Sequence, residues 1–105
     1  MTNYVINRRQ LVCVASFLAF PGKEEALIEA LGALIPDTRR EVGCIRYELN
    51  QSRDEPGRIT FIEKFVDVEA FDSHCAKDAI QHYFHQQMPE LVESFKVETY
   101  HEIIV

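Results

Sequence analysis

Glu63 and His74 stand eleven residues apart in the stretch TFIEKFVDVEAFDSH, residues 60 to 74. The stretch begins as an apolar strand and ends as an amphipathic helix, and its periodicity turns both side chains inward. Glu63 alternates with Phe61 and Phe65 and so shares their face. A bare carboxylate on a covered apolar face is costly unless it is paired or protonated. His74 lies beside Phe71 and Cys75 on its helix. An imidazole with an ordinary pKa of about 6.5 suits proton abstraction near neutral pH. The residues alone leave two readings open. In one, the pair is structural, Glu63 bonding helix amides or the imidazole. In the other, His74 is a base, and Glu63 orients it or binds a substrate hydroxyl.

Other side chains offer less. Tyr47 and Tyr83 could each give a pocket an apolar ring and one hydroxyl, although core packing is the default for both. His82 and His85 have the i, i+3 spacing that could face one metal ion. No third ligand is placed by the sequence and there is no H-E-x-x-H pattern, so a solvated helix face is the reading they favour. Arg46 and Glu48 read as a charge pair or a dimer contact. Cys13, Cys44 and Cys75 are odd in number, form no CxxC and sit in apolar periodic segments. They read as buried free thiols in a reducing cytosol.

The elements that must position these groups can be read in order. LVCVASFLAF (11 to 20) is a buried strand that stops at Pro21-Gly22. GKEEALIEALGALI (22 to 35) spaces Leu27, Leu31, Leu34 and Ile35 for one helix face, and Pro36 should interrupt it. DTRREVG adds about one turn and stops at Gly43. CIRYELNQ (44 to 51) alternates, with Ile45, Tyr47 and Leu49 on one face and Arg46, Glu48 and Asn50 on the other. After the turn cluster SRDEPG comes the strand RITFIEKF (58 to 65). Asp67 caps the helix VEAFDSHCA and Asp78 caps AIQHYFHQQM, where Ile80, Phe84 and Met88 share a face with Leu91. Pro89 marks a bend, and SFKVETYHEIIV (94 to 105) closes as a strand. This order is the βαββαβ pattern of a ferredoxin-like α+β fold. Residues 1–9 read as a lead-in or extra edge segment before a domain spanning 10–105.

A chain of 105 residues can bury one core. Its net charge of -6 argues against a nucleic-acid binder. No apolar run approaches the roughly 18 residues of a membrane span, and the N-terminus has no secretory h-region. A cytoplasmic protein without nucleic-acid or membrane partners is the expectation. Helices enough for one sheet face leave the other to be covered, and a second copy covers it most simply, which predicts a homodimer.

EVGCIRYEL, FIEKFVDVEAFDSH and the Pro-Gly after the first strand resemble the antibiotic biosynthesis monooxygenase domain family. The resemblance runs from Leu11 to about Tyr100. It implies a dimeric α+β barrel with an apolar pocket in each subunit between sheet and helices. Its best-known members oxygenate quinol- or phenol-like substrates without metal or flavin, while relatives degrade haem or act on a small phosphorylated signalling sugar. Glu63 matches the family's strand glutamate, His74 its helix histidine, Tyr47 the tyrosine after the Gly-Cys pair, and Phe65 a frequent Trp. Members often carry a second histidine in a Thr-Pro-His run, where this chain has Lys77-Asp78-Ala79. His82, three residues further, could substitute. The chain has no Trp, which counts against haem degradation.

These readings converge on a cofactor-independent monooxygenase of a small quinol- or phenol-like molecule. His74 would be the base, Glu63 its partner, and Tyr47, Phe61, Phe65, Tyr83 and His82 the substrate-binding residues. No metal, flavin or haem is expected, because no ligand set or Gly-rich phosphate loop is present. Two alternatives use the same residues: a dimeric ligand-binding or stress module, and an acid–base isomerase of a small signalling hydroxyketone.

Overall fold

The computed structural model describes residues 3–105. Its main sheet has four antiparallel strands in the order β3-β4-β2-β5: β2 is Leu11–Ala19, β3 Cys44–Gln51, β4 Arg58–Phe65 and β5 Val92–Tyr100. The hairpin β3–β4 sits at one side and the chain's last long strand at the other, which is the ferredoxin-like arrangement. Strand alternation explains the helix-facing side. One row across the sheet runs Tyr47, Glu63, Cys13, Thr99, and the next runs Leu49, Phe61, Ala15, Val97. Phe17, Ile59 and Phe65 on the same face are fully buried.

The helices lie over this face. α1 (Glu24–Gly32) buries Leu27 and Leu31 and has Glu24 and Glu25 in its first turn, where the helix dipole favours anions. Pro36 does interrupt the helical run, starting α2 (Ile35–Arg39) as one of its first residues. α3 (Val68–Cys75) is capped by Asp67, whose side chain accepts from the Ala70 amide at 2.8 Å. The last helical run is continuous from residue 78 to 91. It comprises α4 (Asp78–His82), a π-helical turn at Tyr83–Gln87, and α5 (Met88–Leu91). Pro89 can neither donate to the carbonyl four residues back nor tolerate it closely, and the widened turn ends just before it. The turn also brings both Tyr83 and Phe84 toward the sheet.

Three expectations need correction. Ile45 does not share the Tyr47 face. The register slips between Cys44 and Arg46, so Ile45 is the extra residue of a bulge and is 48% exposed. Cys44 takes the inward place opposite Phe65. Asp78 is the first residue of α4 rather than its cap, and its side chain makes no capping bond. The closing strand starts at Val92 and ends at Tyr100. Beyond it, β6 (Ile103–Ile104) pairs antiparallel with β1 (Val5–Ile6) in a separate two-stranded ribbon. Val5 and Ile6, within the stretch read as a lead-in or extra edge segment, form one strand of that ribbon. No helix among the described residues is long and apolar enough to cross a membrane.

One close approach fixes the loop before β3. A Cβ at Gly43 would collide with the Cβ of Ala70 and press on Val66. The Gly43 carbonyl also accepts from the Val66 amide at 2.9 Å. Only a residue without a side chain lets this loop lie against α3. Gly43→Ala should therefore lower stability by about 1–3 kcal/mol, and Ala70→Gly in the same chain should recover part of the loss. Urea unfolding of the two single variants and the double variant checks this. Additive losses would mean that the two residues do not press on each other.

Candidate functional site

His74 sits between two carboxylates. Its Nδ1 is 3.2 Å and 3.3 Å from the two carboxylate oxygens of Glu41, and its Nε2 is 3.9 Å from Oε1 of Glu63. The first distances are hydrogen bonds; the last is too long for one. Glu63 comes from the middle of β4, His74 from the last turn of α3, and Glu41 from the loop between α2 and β3. The contact of Gly43 with Ala70 explains how Glu41 gets there. Ala70 and His74 are four residues apart and share one stripe of α3. A loop pressed on Ala70 therefore delivers its neighbour Glu41 to the imidazole.

The imidazole is wedged among rings. Phe65 tilts against it at a centroid distance of 5.0 Å, and Tyr47 meets it edge-on at 5.3 Å. Tyr47 also stacks on Phe61 at 4.2 Å. Glu63 and His74 are each only 4% exposed. Burial pushes the Glu63 carboxyl up to about 8; the nearby Glu41 charge adds to this, and a bond from the Cys13 thiol partly opposes it. Burial also lowers the His74 pKa, while its bond to Glu41 and that group's charge pull it back up. Near neutral pH both groups are then mostly uncharged. The tautomer that suits Glu41 carries the proton on Nδ1. It leaves the Nε2 lone pair facing the protonated Glu63: a base and an acid side by side.

Beside this pair lies a small, nearly apolar cavity of about 50 Å³ between sheet and helices, lined in part by Cys13, Tyr47, Phe61, Glu63, His74 and Tyr83. Half-buried Phe84 and exposed Val97 stand at its edge. Tyr83 is wholly buried, yet its hydroxyl is the one buried side-chain polar atom among the described residues without a hydrogen-bond partner. Burial raises its pKa, which keeps that hydroxyl protonated. Tyr47 differs: its hydroxyl bonds the buried Thr38 side chain. A larger open groove lies outside, between α1–α2 and α3–α4, and Glu41 is in its wall. The acid and base face the smaller space.

The sequence-predicted residues divide. Glu63, His74, Tyr47, Phe61 and Tyr83 all line the cavity. Phe65 instead backs the imidazole from behind. His82 is exposed and outside the cavity, because its neighbours Ile80 and Tyr83 take the inward face of their helix. His85 is also exposed, with Nδ1 on the Gln81 carbonyl at 2.9 Å. The three cysteines are free thiols clustered near the two carboxylates, and burial raises the pKa of each. Arg46 and Glu48 pair at 2.7 Å on the exposed sheet face. Among the described residues no three His, Cys, Asp or Glu side chains are grouped to hold a metal ion. Glu41 was not foreseen. It lies in a turn without periodicity, and only its place two residues before the Gly-Cys pair hinted at a fixed position.

Comparison with known proteins places these features in context. Residues 10–86 match the family described as antibiotic biosynthesis monooxygenase. The crystal structure of protein SO0527 from Shewanella oneidensis is 76% identical, with a TM-score of 0.98 over 98% of this chain and 100% of that one. Protein PA3566 from Pseudomonas aeruginosa is 28% identical, with a TM-score of 0.84 over 91% of this chain and 96% of that one. A structure named antibiotic biosynthesis monooxygenase is 25% identical, with a TM-score of 0.77 over 85% of this chain and 94% of that one. No curated protein matches the chain.

The buried carboxyl gives a pH signature. Because the folded pKa of Glu63 lies above its unfolded value, its protonated form is the one that folding favours. Its contribution is fully present below the ordinary value of 4.5 and is lost as pH rises toward about 8. His74 acts with the opposite sign, its lowered pKa costing stability as pH falls below 6.5. Glu63→Gln should therefore gain stability relative to the parent as pH rises, by an amount on the order of a few kcal/mol by pH 9. Urea titrations at pH 5, 7 and 9 measure it. A constant difference across that range would mean that Glu63 ionises normally in the fold.

Proposed function

The chain belongs to the antibiotic biosynthesis monooxygenase family, and from that membership we propose that it oxygenates a small quinol- or phenol-like molecule without a cofactor. The observation that carries this reading is the unpartnered Tyr83 hydroxyl in the cavity beside His74 and Glu63. A buried hydroxyl left unpaired by the protein costs about 1–3 kcal/mol. A ligand oxygen that accepts from it would remove that cost. The surrounding rings suit a flat apolar ligand, and the acid–base pair suits one bearing an ionisable hydroxyl.

The chemistry asks little of the protein. His74 Nε2 takes the proton of a ring hydroxyl, and the resulting electron-rich anion gives electrons to O₂. For a quinol, one oxygen atom stays on the ring and the other leaves as water; the substrate, oxidised to a hydroxyquinone, supplies all the electrons. Glu63, protonated at neutral pH, can donate to the departing oxygen and regain a proton from the ring carbon that is oxygenated. The apolar walls hold the ring in place and keep bulk water from the anion. Phe84 and Val97 at the cavity edge would have to move to admit a ring, since about 50 Å³ is the room of only a few waters. That tightness favours a second reading, a binding module that holds a very small ligand without turnover. In either case we infer a homodimer. The uncovered sheet face carries half-buried Val12, Val14, Leu18 and Ile62, and a second copy would cover it.

Three measurements test the reading. Oxygen uptake should appear with simple quinols, and His74→Ala should lower kcat by roughly 10² to 10⁴ while the fold survives. Uptake within a few fold of the parent would overturn the base assignment. Tyr83→Phe should split the two roles of its hydroxyl: the thermal midpoint should rise, while quinol affinity falls about tenfold. A variant whose affinity is unchanged would remove Tyr83 from the site. Light scattering should give twice the chain mass of 12.2 kDa; a monomer at micromolar concentration would refute the dimer.

A further inference from the structure

We propose that Glu41 is the positioning residue of this site: it holds His74 with the proton on Nδ1 and connects the imidazole to the solvent in the outer groove. The inference rests on the reading of His74 as the base and adds the route its proton takes.

The geometry has two sides. The cavity side of the imidazole presents Nε2 to Glu63 and to nearly apolar walls, which offer few groups to take a released proton. The other side presents Nδ1 to both carboxylate oxygens of Glu41. Glu41 is in turn part of the open groove's wall, together with Thr38, Ser73 and Lys77. It thus touches the buried ring on one side and lines the open groove on the other. Its backbone is held as well, with its amide on the Thr38 carbonyl and its own carbonyl taking the Cys44 amide, each at 3.1 Å. A carboxylate accepts and cannot donate, so the ring nitrogen facing it must carry the hydrogen.

Proton balance follows from the same contacts. The substrate hydroxyl gives its proton to Nε2. The Nδ1 proton passes to a Glu41 oxygen and from there to water in the groove. When Nε2 later returns a proton to the departing oxygen, Glu41 resupplies Nδ1. One proton leaves and one enters per cycle, and the imidazole need not stay cationic among Phe65, Tyr47 and Phe61. The charged or titratable groups around the ring are Glu41 from the loop, Glu63 and Cys13 from the sheet, Tyr47 from β3, and Cys75 and Lys77 at the end of α3.

Nitrogen-15 NMR of the His74 ring in the full chain at pH 7.5 tests this without any substrate. The parent protein should carry hydrogen on Nδ1 and a bare Nε2. Hydrogen on Nε2 in the parent overturns the proposal outright, whatever the variants do. Glu41→Ala should lose the Nδ1 preference, and titration with sodium formate should restore it, because the groove lets a small carboxylate reach the space left behind. The parent should not respond to formate. A Glu41→Ala protein that keeps the Nδ1 tautomer unaided shows the position to be set elsewhere. One that loses it and ignores formate shows the groove to be closed from the ring. Either result overturns the proposal. Should Glu41→Ala fail to fold, Glu41→Gln replaces it, with a fall in the His74 titration midpoint expected from loss of the neighbouring charge; an unchanged midpoint overturns the proposal. Oxygen uptake is not used, so failure of the oxygenase reading and failure of this one remain separate results.

Discussion

Two carboxylates on either side of one buried imidazole set the terms for the rest of the molecule. Glu41 and Glu63 cannot both ionise cheaply so close to each other in an apolar place. The deeper one, Glu63, keeps its proton near neutral pH. His74 between them stays neutral and acquires a direction, hydrogen toward one neighbour and lone pair toward the other. Much of the surrounding architecture serves this arrangement. The β4 register puts Glu63 inward, the Asp67 cap sets where α3 begins, and Gly43 brings the loop close enough for Glu41 to arrive.

The pairing of sheet rows explains why this small fold can host such a group. The row that carries Tyr47, Glu63 and Cys13 has its only carboxyl at the centre, and the row beyond it is apolar. Rings from both sheet and helices then close around a polar spot one residue wide. Structural neighbours as much as 76% identical share the backbone that creates these rows. Family membership gives the class of activity.

Much of this was legible in the sequence, and the exceptions have physical causes. Strand alternation put Glu63 with Phe61 and Phe65, and the segments 44–51 and 58–65 form strands over those spans. Periodicity assumes an even ladder, so it misplaced Ile45, where a bulge adds one residue. The family resemblance brought His82 toward the site as a stand-in for a missing histidine, but Ile80 and Tyr83 take the inward face of that helix and leave His82 outside. Glu41 was only hinted at by its place before the Gly-Cys pair, because its position depends on a loop pressed against a helix about thirty residues further along the chain. The orphaned Tyr83 hydroxyl is equally invisible to a pattern: a missing partner is a property of packing.

The π turn at Tyr83–Gln87 holds one residue more than an α-helix of the same rise would need. Each residue of an α-helix advances the direction of the next side chain by about 100°. Were the extra residue deleted, the segment beyond it would rotate by about that angle, and Met88 and Leu91 would swing off the sheet while Ile80 stayed in place. The two ends of this helix are therefore phased independently, with the front half set to the cavity and the back half set to the entry into β5. A change of ligand could be accommodated in the first half of the helix without disturbing how the last strand is laid down.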